Sequence, residues 1–288
     1  MIELSDVVYC RVGTQDLESA EAFATTILGL EVAERTKGAI HFKSDNRDHT
    51  LCYFEGNPED HITAFELKSS AELQAAAASL EALGHNVQYG SPAECEIRHV
   101  REFIRFNDPT GNVIEFIVRP SMSGVDYHGT RDAGITGFSH VGFYSTDVER
   151  DEKFWTTVCN ARVSDRIGDA PLMRIGAIHH TIALFPGNKA GIQHINHQVE
   201  STHDIQRSSN LLRDKQVPIT FGPGRHPTSS AQFLYFRGPD GMTYEYSTGV
   251  CEIHDEPLWR DRQFAFEPKG FCLWGASPKI AAFSEGDD

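Results

Sequence analysis

DVVYCRVGTQDLESAEAFATTILGLEV, residues 6–32, decides the fold because the chain contains it twice. Its second copy is FSHVGFYSTDVERDEKFWTTVCNARV, residues 138–163. Asp16 matches Asp147, Phe23 matches Phe154, the threonine pair at 25–26 matches 156–157, and Val32 matches Val163, all 131 residues apart. The same spacing pairs DHTLCYFEG (48–56) with HHTIALFPG (179–187). It drifts to 130 where FIRFNDPTGNVIEF (103–116) meets FLYFRGPDGMTYEY (233–246). Self-similarity on this scale means two copies of one domain.

Each copy reads strand, helix, then several strands. VGFYST alternates as a strand. DVERDEKFWTTV has helical spacing that puts Val148, Phe154 and Val158 on a buried side. HINHQVEST and HDIQRSSNLLRDKQV repeat the strand–helix order inside the copy. The expectation is an α+β protein of two tandem domains, each of paired βαβββ units curled into an open cup that can hold a ligand. The expected boundaries are 1–120 for an N-terminal domain, 121–135 for a polar, glycine-rich linker, 136–250 for a second domain and 251–288 for a tail. Trp259, Phe264, Phe266, Phe271 and Trp274 are too much aromatic surface for water, so the tail is expected to fold back over the second cup, with the final SEGDD solvated.

With 288 residues there is enough chain for two domains, each with a core of its own. A net charge of −15 disfavours nucleic acid and anionic membrane as partners, since both call for a basic face. No apolar run approaches the ~20 residues that span a bilayer. Six scattered cysteines without a C-x-x-C pair, and the start MIELSD, fit a cytoplasmic protein with reduced thiols. Cys159 and Cys251 have no neighbour that would activate either as a nucleophile.

Of four informative places the copies disagree at three and agree at one. Opposite His140 stands Tyr9; opposite His194 stands Ile62, once a single inserted residue is allowed; opposite Tyr235 stands Arg105; opposite Glu245 stands Glu115. Two histidines and a carboxylate therefore occur together only in the second half. A buried unpaired carboxylate costs several kcal/mol, and Glu245 sits in a strand-like run after a Gly-Pro-Asp-Gly turn. A divalent first-row metal on His140, His194 and Glu245 would supply the missing charge and keep further positions open. Taken singly, each histidine reads as an ordinary core or surface residue and Glu245 as an arginine partner; the joint pattern carries the metal reading. The first half then has a structural or oligomerisation role, with Glu115 a relic or a surface charge.

The segments SHVGF, HHTIAL, the QHI holding His194, GPGRH, FLYF and PDGMTYEYSTG resemble the type I extradiol ring-cleaving dioxygenases of the vicinal oxygen chelate superfamily. The resemblance covers the whole two-domain layout. It implies His140, His194 and Glu245 as ligands of Fe(II), with Mn(II) also suited to them, and O2 and a catechol as co-substrates. It makes His180 the proton-transferring residue beside the metal, with His226 and Tyr235 hydrogen-bonding the diol. Tyr235 or His180 would take a phenolic proton, and His180 would return it during cleavage of the O–O bond. It also implies a homo-oligomer. His179, by contrast, reads as a strand-edge residue, and Arg225 as a loop anchor. Met173, Ile175, Phe185 and Phe221 are candidate cup-lining residues, and Arg174 and Lys189 candidate anchors for an acidic substrate. Two other readings compete: a glyoxalase-like metalloenzyme, and a protein that sequesters an aromatic ligand without reacting.

Overall fold

The computed structural model describes residues 1–280 and 283. In the N-terminal domain β1 (Val7–Thr14), α1 (Leu17–Phe23), β2 (Glu31–Thr36), β3 (Ala39–Lys43) and β4 (Leu51–Glu55) form one unit. The next comprises β5 (His61–Leu67), α2 (Ser70–Ala82), β6 (Gln88–Tyr89), α3 (Pro92–Ile97), β7 (Val100–Asn107) and β8 (Val113–Pro120). The C-terminal domain repeats the plan. Its first unit holds β9 (Ile135–Ser145), α4 (Val148–Lys153), β10 (Arg162–Ile167), β11 (Ala170–Arg174) and β12 (Ile182–Pro186). Its second holds β13 (Ile192–Val199), α5 (Thr202–Asp214), β14 (Ile219–Arg225), β15 (Gln232–Arg237) and β16 (Thr243–Thr248).

The sheet orders are β2-β3-β4-β1-β5-β8-β7-β6 and β14-β15-β16-β13-β9-β12-β11-β10-β17. The extra strand, β17 (Arg262–Phe264), comes from the tail and pairs parallel with β10. Within each domain the leading strands of the two units run antiparallel at the centre. The last strand of each unit lies parallel to its own first strand. The fold is α+β, with two open curved sheets.

The repeat is physical as well as textual. Asp16 and Asp147 both cap a helix, accepting from the backbone N–H of Ser19 (2.9 Å) and of Arg150 (3.1 Å). Both helices then widen into a π turn, residues 24–28 and 154–158. There the paired threonines donate to carbonyls four residues back: Thr25 to Glu21 (2.8 Å), Thr26 to Ala22 (2.6 Å), Thr156 to Glu152 (2.8 Å) and Thr157 to Lys153 (2.6 Å). Those hydroxyls compete for the helical acceptors, which loosens the ladder. The wider turn carries Trp155 fully into the core and leaves Val158 only part-buried, a departure from the simple helical register.

The expectation of a separate core in each domain does not hold. The helix-side faces of both sheets share one cluster, in which Phe23 meets Tyr244 (5.5 Å between rings) and Phe65 meets Trp155 (5.3 Å). Short helices cover too little of a sheet, so each domain completes the other's layer. The cup faces stay separate, with Phe185, Phe221, Phe233, Tyr235, Phe271 and Phe283 in the C-terminal cup. The strand period of two sorts the candidate lining residues. Phe185 and Phe221 face the cup, whereas Met173 and Ile175 fall in the helix-side core and Leu172 takes the inward position.

The connection between domains is pinned at both ends. Tyr127 donates to the Gly29 carbonyl (2.7 Å), and Arg131 reaches the Ile27 carbonyl (2.6 Å) and the Tyr246 hydroxyl (3.0 Å). The SEGDD end lies outside the described residues. Among the described residues no helix is long and apolar enough to cross a membrane.

Candidate metal centre

Alternation along three adjacent strands puts His140 (β9), His194 (β13) and Glu245 (β16) on the cup face. His140 lies in the middle of its strand, Ile135–Ser145. All three side chains are buried. His140 Nε2 is 3.0 Å from His194 Nε2 and 2.9 Å from Glu245 Oε2, and His194 Nε2 is 3.5 Å from the same oxygen. With metal–donor bonds of about 2.1 Å, three donors on one octahedral face stand roughly 3.0 Å apart, close to this triangle. Glu245 Oε2 is buried without a properly directed hydrogen bond although two imidazole nitrogens crowd it. A buried anionic oxygen so placed fits a cation at the centre of the set.

The inserted residue that the sequence comparison needs at His194 is a β-bulge. In β5 the register runs unbroken, Ile62 opposite Arg11 and His61 opposite Val12. In β13 it shifts between Ile192 and His194, leaving Gln193 as the extra residue. The bulge turns His194 into the cup. It also sets Gln193 Oε1 against His194 Nδ1, which therefore holds the ring proton and leaves Nε2 a free lone pair. The His194 ring needs the space over Gly142, because a Cβ there would stand 2.5 Å from Nδ1. The first domain has Arg11 at that place.

Burial opposes ionisation of Glu245, yet contacts with His140 and His226 and the nearby His194 outweigh it and hold the carboxyl well below its usual range. Burial pushes the His194 imidazole down to about 3 despite that carboxylate, so it stays neutral. Burial, the Glu245 charge and the contact with it raise the Tyr235 phenol well above 10.

Three further side chains ring the triangle. The His180 ring lies 4.3 Å from that of His140, and Tyr235 lies 5.3 Å from His194. His226 donates from Nδ1 to the Phe271 carbonyl (2.8 Å), leaving Nε2 to accept from the Tyr235 hydroxyl (3.3 Å). His226 Nε2 also approaches Glu245 Oε1 at 3.6 Å. The six residues singled out in the sequence thus converge on one buried spot.

What the sequence reading missed stands behind His180. His179 Nε2 donates to Asp165 Oδ2 (2.8 Å), and His179 Nδ1 faces His180 Nδ1 (3.1 Å). Asp165 is fully buried and also accepts from Arg262 of the tail, at 2.6 Å to Nη2 and 3.0 Å to Nε. With the Asp165 carboxylate fixing the proton on His179 Nε2, His180 must donate through Nδ1, and its Nε2 is left as the free base. Burial and neighbouring histidines hold the His180 imidazole well below its usual range, so it is neutral. His179, read as a strand-edge residue, is instead a link in this chain. One signal was available: at the repeat spacing Asp165 matches Glu34, an acid in both copies.

Glu115, read as a relic or a surface charge, is neither. It is fully buried and holds Arg98 (2.8 Å), Arg105 (2.8 Å) and the Tyr9 hydroxyl (2.6 Å). Two guanidinium groups meet the carboxylate where, in the other copy, imidazoles surround it. Arg174 pairs with Glu256 (2.5 Å) and Lys189 is exposed beside Glu59, so each is already engaged by a carboxylate of the protein. Arg225 donates to the Ser230 carbonyl (3.1 Å) within its own loop.

A family model described as the Glyoxalase/Bleomycin resistance protein/Dioxygenase superfamily matches residues 6–116 and again 137–246. The iron-dependent extradiol dioxygenase of Rhodococcus jostii strain RHA1 is 24% identical over 95% of this chain and 97% of its own. The crystal structure of a halotolerant catechol dioxygenase superposes with a TM-score of 0.88 at 22% identity, covering 96% of both chains. A Mn(II)-bound glyoxalase from Novosphingobium aromaticivorans gives 0.88 at 23% identity, covering 99% of this chain and 96% of that one.

Proposed function

The chain belongs to the Glyoxalase/Bleomycin resistance protein/Dioxygenase superfamily, and from that premise we propose that it is an extradiol dioxygenase, opening the ring of a catechol with O2 at a divalent metal on His140, His194 and Glu245. The observation that carries this reading is the donor triangle of 2.9, 3.0 and 3.5 Å with His180, His226 and Tyr235 closed around it. Fe(II) is the metal we assign, in keeping with the iron-dependent relative; Mn(II) fits the same donors.

When bound, the ion supplies positive charge that lowers the pKa of a diol and a place where diol and O2 meet. The protein supplies the proton chemistry. His180 Nε2, kept free by the Asp165–His179 chain, takes a phenolic proton and later returns it to the oxygen that becomes anionic. Tyr235 and His226 hydrogen-bond the diol from the opposite side, Tyr235 as donor. That differs from the expectation that Tyr235 shares the role of base. Phe185, Phe221, Phe271 and Phe283 exclude water and make the cup apolar. With Arg174 and Lys189 engaged elsewhere, the preferred substrate is a neutral catechol with an apolar substituent, such as 3-methylcatechol.

We also assign a homo-oligomer in a reducing compartment. Leu258, Leu273 and Trp274 of the tail are exposed by 74%, 59% and 52%, apolar surface of the kind a second copy covers, and all six cysteines are free. The mass by size-exclusion chromatography with light scattering tests the oligomer.

The test of the activity is anaerobic loading with Fe(II), addition of 3-methylcatechol, and admission of air. A yellow ring-opened product is expected. No product from any catechol, with iron bound, would leave the non-reacting binder; isomerisation of a thiol hemiacetal instead would mark a glyoxalase. His194→Ala should lose the metal, whereas His180→Ala should keep it and slow turnover ~10²–10⁴-fold. Equal metal loss in both would refute the division of roles.

A further inference from the structure

We propose that Glu34, His41 and His99 form a second divalent-metal site, of the zinc type, at the mouth of the N-terminal cup. One ligand atom from each lies within 4.8 Å of the other two. Glu34 and His41 face each other across the β2–β3 ladder, and His99 reaches them from the turn before β7.

The hydrogen bonds present leave a gap that a cation fills. His41 Nε2 donates to the Ile97 carbonyl (3.0 Å), which makes Nδ1 a lone pair; that atom is buried and has no partner. His99 Nε2 stands 2.9 Å from Glu34 Oε2 and its Nδ1 3.3 Å from Asp48 Oδ2; one ring proton serves only one of these carboxylates, and with that proton on Nδ1 the Nε2 lone pair faces Glu34, where a cation fits. His49, whose ring is 4.8 Å from that of His41 and stacks on Tyr9, adds another orphaned nitrogen, Nε2. Buried polar atoms without partners point to an unseen water or ion. The unpartnered atoms also include donors, Nε and Nη1 of Arg11, but no hydrogen bond joins them to these lone pairs, whereas a metal would accept from His41 Nδ1, His99 Nε2 and Glu34 together.

Donor type and access agree. Two imidazoles with one or two carboxylates are a zinc-class set, and bonds of ~2.0–2.1 Å put tetrahedral donors about 3.3 Å apart, near the 2.9 Å between Glu34 and His99. His41 is fully buried, and with Nε2 bonded to the Ile97 carbonyl its Nδ1 is open to a cation. The repeat explains why the opening survives. Glu34, Asp48 and His49 occupy the places of Asp165, His179 and His180 in the other copy. There the tail strand β17 covers the edge and Arg262 neutralises Asp165. In the first copy β2 is the sheet's edge, and the Glu34 side chain remains 46% exposed.

The test counts metal, not activity. The full chain carrying His194→Ala and Glu245→Ala, which empty the other centre, is stripped with a chelator and dialysed against Zn(II). One zinc per chain is expected, with a raised Tm; adding Glu34→Gln and His99→Gln should abolish both the zinc and the Tm shift. Should the His194→Ala/Glu245→Ala chain fail to fold, the same pair in the native chain should lower the content from two zinc ions to one. Both residues are part-exposed, so the circular dichroism should be unchanged. Zinc content that Glu34→Gln and His99→Gln leave as it was, or an absence of zinc with His41, His99 and Glu34 intact, overturns the site. Because the count at His140, His194 and Glu245 is read separately, a failure here leaves the ring-cleavage reading untouched.

Discussion

Asp165→Asn isolates the chain that sets the His180 proton. The carboxylate accepts from His179 Nε2 at 2.8 Å, from Arg262 Nη2 and Nε at 2.6 and 3.0 Å, and from the Arg262 backbone N–H at 2.9 Å. Burial would raise its pKa, but the hydrogen bonds from His179 and Arg262 hold it below the usual value. Asparagine offers one acceptor oxygen and one NH2. Arg262, with only donors, claims the oxygen, so the NH2 meets His179 Nε2. His179 must then carry its proton on Nδ1, His180 must accept it, and the His180 proton moves to Nε2, the atom proposed as the base. Replacing a direct carboxylate partner of a catalytic histidine costs ~10⁴ in kcat. Here one ring intervenes, and outer partners of this kind are typically worth 10–100-fold, or about 1.4–2.7 kcal/mol in the barrier. The assay is kcat on 3-methylcatechol at saturating O2, with iron content measured and matched. A kcat within about twofold of the native protein, with metal and fold intact, would refute the tautomer argument. Arg262→Gln, which leaves the Asp165–His179 bond, should cost less.

Other outcomes follow from single contacts. Gln193→Leu removes the acceptor for His194 Nδ1, so metal affinity should fall 10–100-fold, read by competition with a chromophoric chelator. Glu115→Ala strands Arg98 and Arg105; loss of one partner of a buried ion pair costs about 3–5 kcal/mol, so the urea midpoint should drop while kcat below the transition is unchanged. His197 is fully buried, with both ring nitrogens unpartnered, and burial holds it at about 4 against 6.5. Its unfolded form gains a proton as pH falls below 6.5 while the folded form does not. Stability is therefore intact above 6.5 and lost progressively down to 4, by roughly 2 kcal/mol at pH 5. Urea titrations at pH 7.5 and 5 should show this loss, reduced in His197→Leu.

Residues that act through local pattern were legible. The repeat spacing and the strand alternation placed two α+β domains in order. The difference between copies picked out His140, His194 and Glu245, because two histidines and a carboxylate together in one copy and not in the other need no coordinates to notice. Even the bulge was foreshadowed as one unmatched residue. The sequence did not say which residue was extra, or that Gln193 turns back to hold the His194 ring.

Tertiary structure decided the remainder. Asp165 reaches His179 only because β10 and the turn before β12 meet at the cup rim, and Arg262 arrives from a tail strand added to the sheet edge. Glu115 became an arginine-bound charge because Arg98 comes from beyond α3 and Arg105 from the neighbouring strand. The shared core arose from how two sheets face each other. Side-chain period and repeat spacing are properties of a few neighbouring residues, so sequence alone carries them. Which lone pair meets which proton depends on the register and approach of distant strands, and only the folded chain sets that.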